Sequence, residues 1–434
     1  MKNLIFVFCL ILALTANIAC SDQIELNFSE NEDRLCEQSS SIVEQAKQAY
    51  EICYGSHSRA NVIFLEHDIV PVSQLKSRSA NNDTILYIIN EANGNGFVAL
   101  TAGNHPEVLA VSDNGNITNI DSIENPALSL FFESAIDYSA KKIANNSSEG
   151  TISPFPYFRE ELNTLADNSC PARCTTKWGQ QYPEGLYCPN KTSGCNITAI
   201  AQVMCYFGQP ASLELTYENA DTTQIDINWT NLKNYVNSVT WDEYNNNIFK
   251  RPIQRESENT LGKICREFGH RVNASYGDYG TSSDLEQVAF NVFLAPSSIN
   301  FTSGRGMPVA RNILGNGILV TQGTGISTAH GVLNPEDYAH ETHTWIIDGF
   351  RYRVVEHNIY VYNSSTQSYE YSEDESYTET IDLQHINWGW NGNNNGYFNT
   401  GVFNTDNALI PDSDSKDYHY NYIMSFRYFL FKVN

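Results

Sequence analysis

The stretch GCNITAIAQVMCYFG, residues 194–208, predicts a helix that begins at a cysteine. Its apolar residues recur at helical spacing on one face: Ile197, Ile200, Ala201, Met204 and Phe207. Cys195 would then lie in the first turn, where unpaired N–H groups and the positive end of the helix dipole favour a thiolate over a thiol. The pattern fits either a nucleophilic cysteine or a buried structural one, and Cys205 on the same helix is the structural case.

A thiolate nucleophile needs a proton carrier, and one of the ten histidines has a fixed position. The segment ETHTWIIDGF, residues 341–350, places His343 at the start of an apolar strand, with Asp348-Gly349 predicted as a turn into the next strand. A histidine on the rim of a rigid strand keeps its direction, as a general base must. It follows Cys195 by roughly 150 residues, a separation typical of papain-like enzymes. Lesser candidates are His330, His340 and His385.

Two tryptophans lie in the segment INWGWNG, residues 386–392. Trp388 and Trp390 flank a glycine between a predicted strand and an Asn-Gly turn, where their rings would pack over an imidazole and exclude water. The aromatic core of a hairpin explains the same pattern, so both interpretations stay open.

A glutamine stands shortly before the cysteine in KWGQQYP, residues 177–183. The side-chain N–H of Gln180 would be one donor to a developing oxyanion, and the backbone N–H of Cys195 the other. A glutamine alone carries no information, so its position before the nucleophile is the reason for this hypothesis.

The composition excludes some classes of function. Asp and Glu total 50 against 26 Lys and Arg, a net charge of −24. Nucleic acids and anionic membrane surfaces both require clustered cations, so neither is a predicted partner. The 434 residues are enough for two domains.

The cysteines predict neither a metal nor a cofactor. Cys170, Cys174 and Cys188 have no fourth ligand at finger spacing, which makes zinc improbable. Export from the cytoplasm would permit disulfides, and Cys36 and Cys53 are a candidate pair.

The first residues predict export. Lys2 precedes the apolar run LIFVFCLILALTA, which is too short and too poorly flanked to span a membrane, so residues 1–19 are interpreted as a signal peptide. Cys20 follows a small residue, as in bacterial lipoproteins, but Asn17 stands where a leucine is usual. Lipidation at Cys20 and ordinary cleavage both stay open, which predicts a secreted, periplasmic or surface-anchored bacterial protein.

Residues 20–145 are predicted to form a helix, three strands and a second helix. Asn-Gly and Gly-Asn turns separate the strands, expected at Ile85–Ile89, Phe97–Thr101 and Val108–Ser112. No catalytic spacing occurs here, which suggests a chaperone or inhibitor segment. Residues 146–170, rich in Asn, Ser, Gly and Pro, are predicted as a loose linker in which proteases cut.

Residues 171–434 are predicted to be helical at first and then mostly strands, an α+β arrangement. In the helical half, Gly269 is expected to end a helix, and Ser283 with Glu286 to form a capping box. The Tyr-rich acidic residues 363–380 are predicted as a loop.

Taken together, KWGQQYP, GCNITAIAQVMCYFG, HTWIIDGF and INWGWNG resemble the streptopain family of bacterial cysteine peptidases. The likeness extends to FGHRVNASYGDYGTSS, residues 268–283, and to NGFVALTAGNHPEVLAVSDNG, residues 95–115. It implies a papain-like fold for residues 171–434, with a helical and an antiparallel-sheet subdomain and the active site between them. It also implies that residues 20–145 are an inhibitory propeptide.

The same resemblance implies the roles of single residues. Cys195 would be the nucleophile, His343 the base and Gln180 an oxyanion donor, with Trp388 supporting the histidine and Trp390 shielding it. Substrate would contact Thr281 and Ser282 in a cleft wall, together with Thr342 and Trp390. Two positions depart from the family: Asn-Ile-Thr follows the cysteine where Val-Ala-Thr is usual, and Thr342 replaces a common glycine.

The predicted function is therefore an endopeptidase made as a zymogen, acting on protein or peptide substrates and inhibited by its own leading segment. That segment is expected to occupy the cleft and to be removed near residues 145–172. The alternatives are an inactive surface binding module and another Cys–His acyl transferase of the transglutaminase kind. The membrane would be a partner only through a lipid on Cys20.

Overall fold

The computed structural model describes most of the chain beyond the predicted signal peptide. Cys20 and His330 lie outside the described residues, which are 30–55, 62–73, 84–103, 105–146, 158–218, 224–236, 252–277, 280–293, 299–305, 307–327, 339–403 and 425–433. The chain divides into two compact units, residues 1–42 and 43–434. No helix in the described ranges is long and apolar enough to span a membrane.

The leading segment consists of two helices and four strands. These are α1 (Glu30–Tyr54), β1 (Phe64–Ser73), β2 (Thr84–Glu91), β3 (Phe97–Thr101), β4 (Val108–Ser112) and α2 (Pro126–Asn146), with a short 3-10 turn at Ile120–Ser122. The three strands predicted from the sequence are confirmed, two of them with the predicted bounds. Each of them is almost wholly buried, because both faces of this sheet are covered.

The next part of the chain is mainly helical. Its elements are α3 (Cys195–Phe207), β6 (Ser212–Glu214), β7 (Gln224–Asp226), α4 (Trp229–Val236), α5 (Pro252–Arg271), β8 (Ser275–Gly277), β9 (Gly280–Ser282) and α6 (Leu285–Phe293). The prediction that Gly269 ends a helix is wrong, since α5 continues to Arg271. A side chain at Gly269 would collide with the hydroxyl of Tyr276, so close packing explains this glycine.

The first turn of α6 differs from the predicted capping box. Asp284 accepts a hydrogen bond from the N–H of Gln287 and thereby caps the helix. Ser283 instead accepts hydrogen bonds from the side chain of Asn196, through its carbonyl and its hydroxyl. The sequence predicts a serine cap because it does not show this long-range contact.

The last part is mainly strands. They are β10 (Ile299–Arg305), β11 (Ile318–Ser327), β12 (Ala339–Asn363), β13 (Ser368–Asn387), β14 (Gly396–Asn399) and β15 (Ser425–Val433), with a short helix α7 (Ala310–Ile313) and a 3-10 turn at Thr400–Phe403. The residues predicted as a Tyr-rich loop form a hairpin between β12 and β13. The predicted linker is likewise only partly loose, because Phe158–Cys170 forms a strand, β5, paired with β12.

The predicted turn at Asp348-Gly349 is absent, and β12 continues through it. The pairing with β13 shifts register between Ile347 and Gly349, which marks a bulge. Asp348 is fully buried at this point and accepts hydrogen bonds from the N–H groups of Arg173 and Cys174. The Asp-Gly pair therefore serves a buried contact within a continuous strand.

Strands from both ends of the chain form one antiparallel sheet of eleven strands in the described residues. Its order is β1-β2-β3-β4-β14-β13-β12-β11-β15-β10, with β5 pairing the outer part of β12. The leading segment joins this sheet where β4 pairs β14 over three residue pairs from Ala110 to Ser112. It is thus continuous in structure with the residues that follow it.

Helices and the leading segment cover opposite faces of this sheet. Side chains alternate between the faces along each strand. Val320 and Ile346 belong to a core shared with α3, α5 and α6. Their neighbours Leu319 and Ile347 belong to a second core that includes residues of α2 and β2–β4. One large antiparallel sheet with helices packed on its two faces agrees with the predicted α+β class.

Candidate active site

Cys195 is the first residue of helix α3. Gly194 precedes the helix with φ 93° and ψ 150°, and no side chain caps the first turn. The N–H groups of that turn are therefore left free of side-chain acceptors, and they surround a partly exposed thiol. A helix start of this kind stabilises negative charge on sulfur or on an oxyanion.

His343 is held by its strand and by one carbonyl group. It lies on β12 opposite Gly323 of β11 and is almost fully buried. Its Nε2 atom is 2.8 Å from the carbonyl oxygen of Trp388. Because a carbonyl oxygen only accepts hydrogen bonds, Nε2 carries the proton and Nδ1 is left as the basic nitrogen.

The structure brings Cys195 and His343 together. Desolvation raises the pKa of the Cys195 thiol, but a hydrogen bond to His343, the charge of its imidazole and contacts with Thr344 outweigh it, so the pKa is lowered overall. A lowered pKa increases the fraction of thiolate, which is the nucleophilic form of cysteine.

The other described cysteines behave in the opposite way. Burial raises the pKa of Cys188 to about 11 and that of Cys174 and Cys205 to about 12. The thiols of Cys53, Cys170 and Cys265 also have raised pKa values because they are desolvated. Among the described thiols with a shifted pKa, Cys195 alone is shifted towards the thiolate.

No disulfide or metal cluster occupies the described residues. Cys53 is a free thiol, and the side chain of its suggested partner Cys36 lies outside the described part of the chain. Within the described residues, no group of three or more His, Cys, Asp or Glu side chains is arranged to hold a metal ion.

Two indole rings pack against the imidazole, and one of them was not predicted. Trp390 meets His343 edge to face, with 6.0 Å between ring centroids. Trp345 stacks on the same imidazole, with 6.4 Å between ring centroids. Strand alternation would have identified Trp345, since it lies two residues after His343 and so on the same side of β12.

Trp388 contributes its backbone to His343, whereas its indole packs elsewhere. The ring is fully buried against Trp345 and Phe398 and donates its N–H to the carbonyl of Asn394. The backbone N–H of Trp388 donates to the side-chain oxygen of Asn395. These contacts fix the direction of the carbonyl that holds Nε2 of His343.

Gln180 lies in a loop that is tied to the start of α3. Its carbonyl accepts hydrogen bonds from the N–H and the hydroxyl of Ser193, two residues before Cys195. The carbonyl of Gly179 accepts one from the hydroxyl of Thr198 on α3. The side-chain amide of Gln180 is partly exposed and forms no hydrogen bond with another described residue. It is thus free to bind a ligand near Cys195.

Two of the predicted substrate-contact residues are close in the structure to Cys195 or His343: Thr281 lies near Gly194, and Thr342 precedes His343. Thr281 is in β9, and its carbonyl would be 2.9 Å from a β-carbon placed on Gly194. Its hydroxyl donates to the carbonyl of Thr192 at 2.5 Å. Ser282 follows it and is exposed. Thr342 is exposed on β12 next to His343, and the predicted contacts of these residues with substrate stay predictions.

The competing histidines have other surroundings. Nδ1 of His385 is hydrogen-bonded to buried Asp348 at 2.6 Å, and this hydrogen bond connects β13 to the β12 bulge. His340 lies on β12, but its side chain is outside the described part of the chain.

The leading segment contacts the loop that carries Trp388 and Trp390. The hydroxyl of Ser112 donates to the carbonyl of Asn395, and the side-chain amide of Asn114 donates to the carbonyl of Gly392. The end of β4 and the turn that follows it therefore contact the loop whose Trp388 carbonyl binds His343.

Two solved structures from Prevotella intermedia are similar to the chain. A prointerpain A fragment with a cysteine-to-alanine mutation is 16% identical, with 86% of this chain and 99% of that chain covered at a TM-score of 0.44. Active wild-type interpain A cysteine protease is 19% identical, with 60% and 94% covered at a TM-score of 0.34. No curated protein matches the chain significantly.

A family model carries the assignment. The model of the Peptidase C10 family matches residues 176–398, more than half of the chain. The matched range includes Gln180, Cys195, His343 and both tryptophans of the 386–392 segment. The chain therefore belongs to the Peptidase C10 family, the streptopain family that its motifs resemble, and it is a cysteine-type peptidase with the papain-like fold of that family.

Proposed function

We propose that this peptidase is an endopeptidase in which Cys195 is the nucleophile and His343 the acid–base residue. The observation that supports it best is the opposite direction of the pKa shifts: the Cys195 pKa is lowered by His343 and Thr344, while burial raises that of the other shifted thiols. Only a thiolate attacks a peptide carbonyl at useful rates near neutral pH.

The first half of the reaction forms an acyl-enzyme. The Cys195 thiolate attacks the carbonyl carbon of the peptide bond, a carbon–sulfur bond forms, and the carbonyl oxygen becomes an oxyanion. The Cys195 N–H and the side-chain amide of Gln180 donate hydrogen bonds to that oxygen. The His343 imidazolium then gives its Nδ1 proton to the leaving amine, the carbon–nitrogen bond breaks, and a thioester remains.

The second half releases the acid and restores the enzyme. Nδ1 of neutral His343 takes a proton from water as the water oxygen attacks the thioester carbonyl. The carbon–sulfur bond breaks, and the thiolate–imidazolium pair forms again. The Trp388 carbonyl keeps the Nε2 proton in place throughout, so only Nδ1 exchanges protons.

We also propose that the chain is exported as a zymogen whose leading segment, residues 20–145, restrains the enzyme. The apolar run after Lys2 supports export, and a lipid on Cys20 would fix the protein at a membrane surface. The contacts of Ser112 and Asn114 with the loop around Gly392 support the restraint, since that loop carries the carbonyl that holds His343.

Two variants on one helix test the nucleophile. We expect Cys195→Ala to abolish casein cleavage, whereas Cys205→Ala, which removes a buried thiol ten residues along α3, retains it. A thiol-reactive epoxide should label Cys195 alone by mass spectrometry. Undiminished cleavage by Cys195→Ala, or epoxide labelling spread over several thiols, would contradict the proposal.

A further inference from the structure

The residues that follow Cys195 and His343 are bonded to each other. Asn196 is the second residue of α3, and Thr344 is the residue after His343 on β12. The Thr344 hydroxyl donates to the Asn196 side-chain oxygen at 2.5 Å. This hydrogen bond joins the helix of the nucleophile directly to the strand of the base.

The orientation of this bond is fixed by partners that can act in one way only. The Asn196 amide nitrogen donates to the carbonyl of Ser283, so its oxygen must face Thr344. Arg427, which has no acceptor, donates to the Gln322 side-chain oxygen at 2.6 Å. The Gln322 nitrogen must therefore face inwards, where it lies 3.0 Å from the Asn196 oxygen and 3.2 Å from the Thr344 hydroxyl.

The three side chains at the centre of this cluster are withdrawn from water. Exposure is 5% for Asn196, 1% for Thr344 and 7% for Gln322. Hydrogen bonds in such surroundings are strong and directional, and leaving one unmade is costly. A cluster of this kind resists small displacements of α3 relative to β12.

The hydrogen bond between Thr344 and Asn196 can control the position of the reacting groups, because each residue is next to one of them in the chain. Cys195 and Asn196 are neighbours, and so are His343 and Thr344, so a shift of either partner moves a reacting group with it. Displacements on the order of 1 Å at a catalytic pair reduce rates by about a hundredfold.

We propose that Thr344 and Asn196 are positioning residues, which together with Gln322 and Arg427 set the distance between the Cys195 sulfur and the His343 imidazole. The inference rests on the proposed roles of Cys195 and His343. It is supported by the contact of Thr344 with the thiol through its backbone N–H, because the Thr344 hydroxyl proton is used in the bond to Asn196.

The test removes one hydroxyl and keeps the shape of the side chain. In the full-length chain, Thr344→Val loses the hydrogen bond to Asn196, and Thr344→Ser retains a hydroxyl. Thr321→Val is the matched control, because Thr321 is a fully buried threonine of β11 whose hydroxyl has no partner among the described residues. The measurements are the rate of Cys195 alkylation by iodoacetamide against pH, followed by mass spectrometry, and the thermal midpoint of unfolding.

For Thr344→Val we expect the pH at which Cys195 becomes reactive to rise by about one unit, since a sulfur displaced from His343 keeps less of the hydrogen bond and the charge that stabilise the thiolate. After processing, kcat should fall roughly tenfold with KM little changed, because the substrate contacts are intact. Thr344→Ser should restore both values to within about threefold of wild type, and Thr321→Val should leave them unchanged.

Three outcomes would overturn the inference: an unshifted alkylation profile in Thr344→Val, no rescue by Thr344→Ser, or an equal shift in Thr321→Val. A failure of the proposed function gives a different result. In that case Cys195→Ala would retain peptidase activity whatever Thr344→Val does.

Discussion

Gly194 determines where the sulfur of Cys195 stands. Its φ of 93° lies in a region that residues with a β-carbon avoid, and a β-carbon there would also lie 2.9 Å from the carbonyl of Thr281. The backbone must turn in this way for helix α3 to begin at the cysteine with its first N–H groups uncapped. The requirement is local, which is why the Gly-Cys pair could be recognised in the sequence.

We expect Gly194→Ala to reduce kcat/KM by at least tenfold, because about 1–3 kcal/mol of backbone strain would be relieved by moving the first turn of α3. Gly208→Ala is the control at the other end of the helix. Gly208 also has a positive φ, of 65°, but a β-carbon there would touch nothing within 4 Å. That variant should lose stability without losing activity, and equal kcat/KM for the two variants would contradict the role of Gly194.

Glu184 is a buried carboxyl group whose stability contribution depends on pH. One of its oxygens accepts a hydrogen bond from the Gly179 N–H, next to Gln180, and the other has no partner among the described residues. Desolvation raises its pKa from 4.5 to about 8. A carboxyl with a raised folded-state pKa stabilises the fold fully below pH 4.5, and this contribution is lost as the pH rises to 8.

Glu184→Gln removes this titration and keeps an acceptor for Gly179. Between pH 5 and pH 8.5, wild type should lose more unfolding free energy than the variant, with a difference on the order of a few kcal/mol. Urea unfolding of both chains in a Cys195→Ala background measures it without self-digestion. Parallel pH profiles of the two chains would show that Glu184 is not buried as described.

At the same scale, the sequence identifies a residue when its signal is local. Cys195 begins helix α3, and His343 lies two residues before the buried apolar run Trp345–Ile347 within β12, so each could be found beside a periodic segment. The packing of Trp345 against His343 is also predictable from strand alternation, since the two residues lie on the same face of β12. Thr344 and Asn196 could not be paired from the sequence, because their contact depends on how α3 lies on β12.

Among the elements, β12 shows how an Asp-Gly pair can mislead. These residues are typical of turns, but Asp348 here stays in the strand and binds two backbone N–H groups and His385. This carboxylate helps to attach the chain before the Gln180 loop, at Arg173 and Cys174, to the sheet. Buried acceptors of this kind are invisible to turn propensities, which describe short segments only.

We expect Asp348→Ala to lower the unfolding free energy by about 3–5 kcal/mol, since it leaves two N–H groups and a histidine without a buried partner. Asp382→Ala on the adjacent strand removes a partly exposed ion pair with Arg311 and should cost about 1 kcal/mol or less. Urea unfolding midpoints in the Cys195→Ala background compare the two. Similar losses would mean that the Asp348 contacts are dispensable.

Strand β5 limits where a protease can cut the predicted linker. Phe158–Cys170 pairs with β12 from Phe350 to Val361, and a protease must first detach backbone that is paired in this way. We therefore expect the mature enzyme to begin before Phe158, within the first half of the predicted linker, and to retain β5. N-terminal sequencing of the active form decides this, and a mature chain that starts after Phe158 would refute it.

In the whole molecule, the leading segment and the peptidase part share a core. Phe131 of helix α2 is fully buried and packs against Phe398 and Phe403 at ring distances of 5.0 and 5.3 Å. Phe398 packs in turn on Trp388 at 4.9 Å. The helix of the leading segment is thus two ring contacts from the residue whose carbonyl holds His343. The sequence predicts the two parts as separate domains, because pairing between distant strands such as β4 and β14 leaves no periodic pattern.

A shared core predicts a shared unfolding transition. In the Cys195→Ala background, Phe131→Ala should lower stability by about 3–5 kcal/mol, as large-to-small core substitutions do, and the whole of residues 43–434 should unfold in one step. Tyr371→Ala, at a ring that is 53% exposed on the β12–β13 hairpin, should change the unfolding free energy by less than about 0.5 kcal/mol.

Residues 158–434 expressed alone should bind a hydrophobic dye, because Phe398 and Phe403 lose their cover. If that fragment melts at the temperature of the full chain, or if Phe131→Ala unfolds in two separate steps, the two parts are independent.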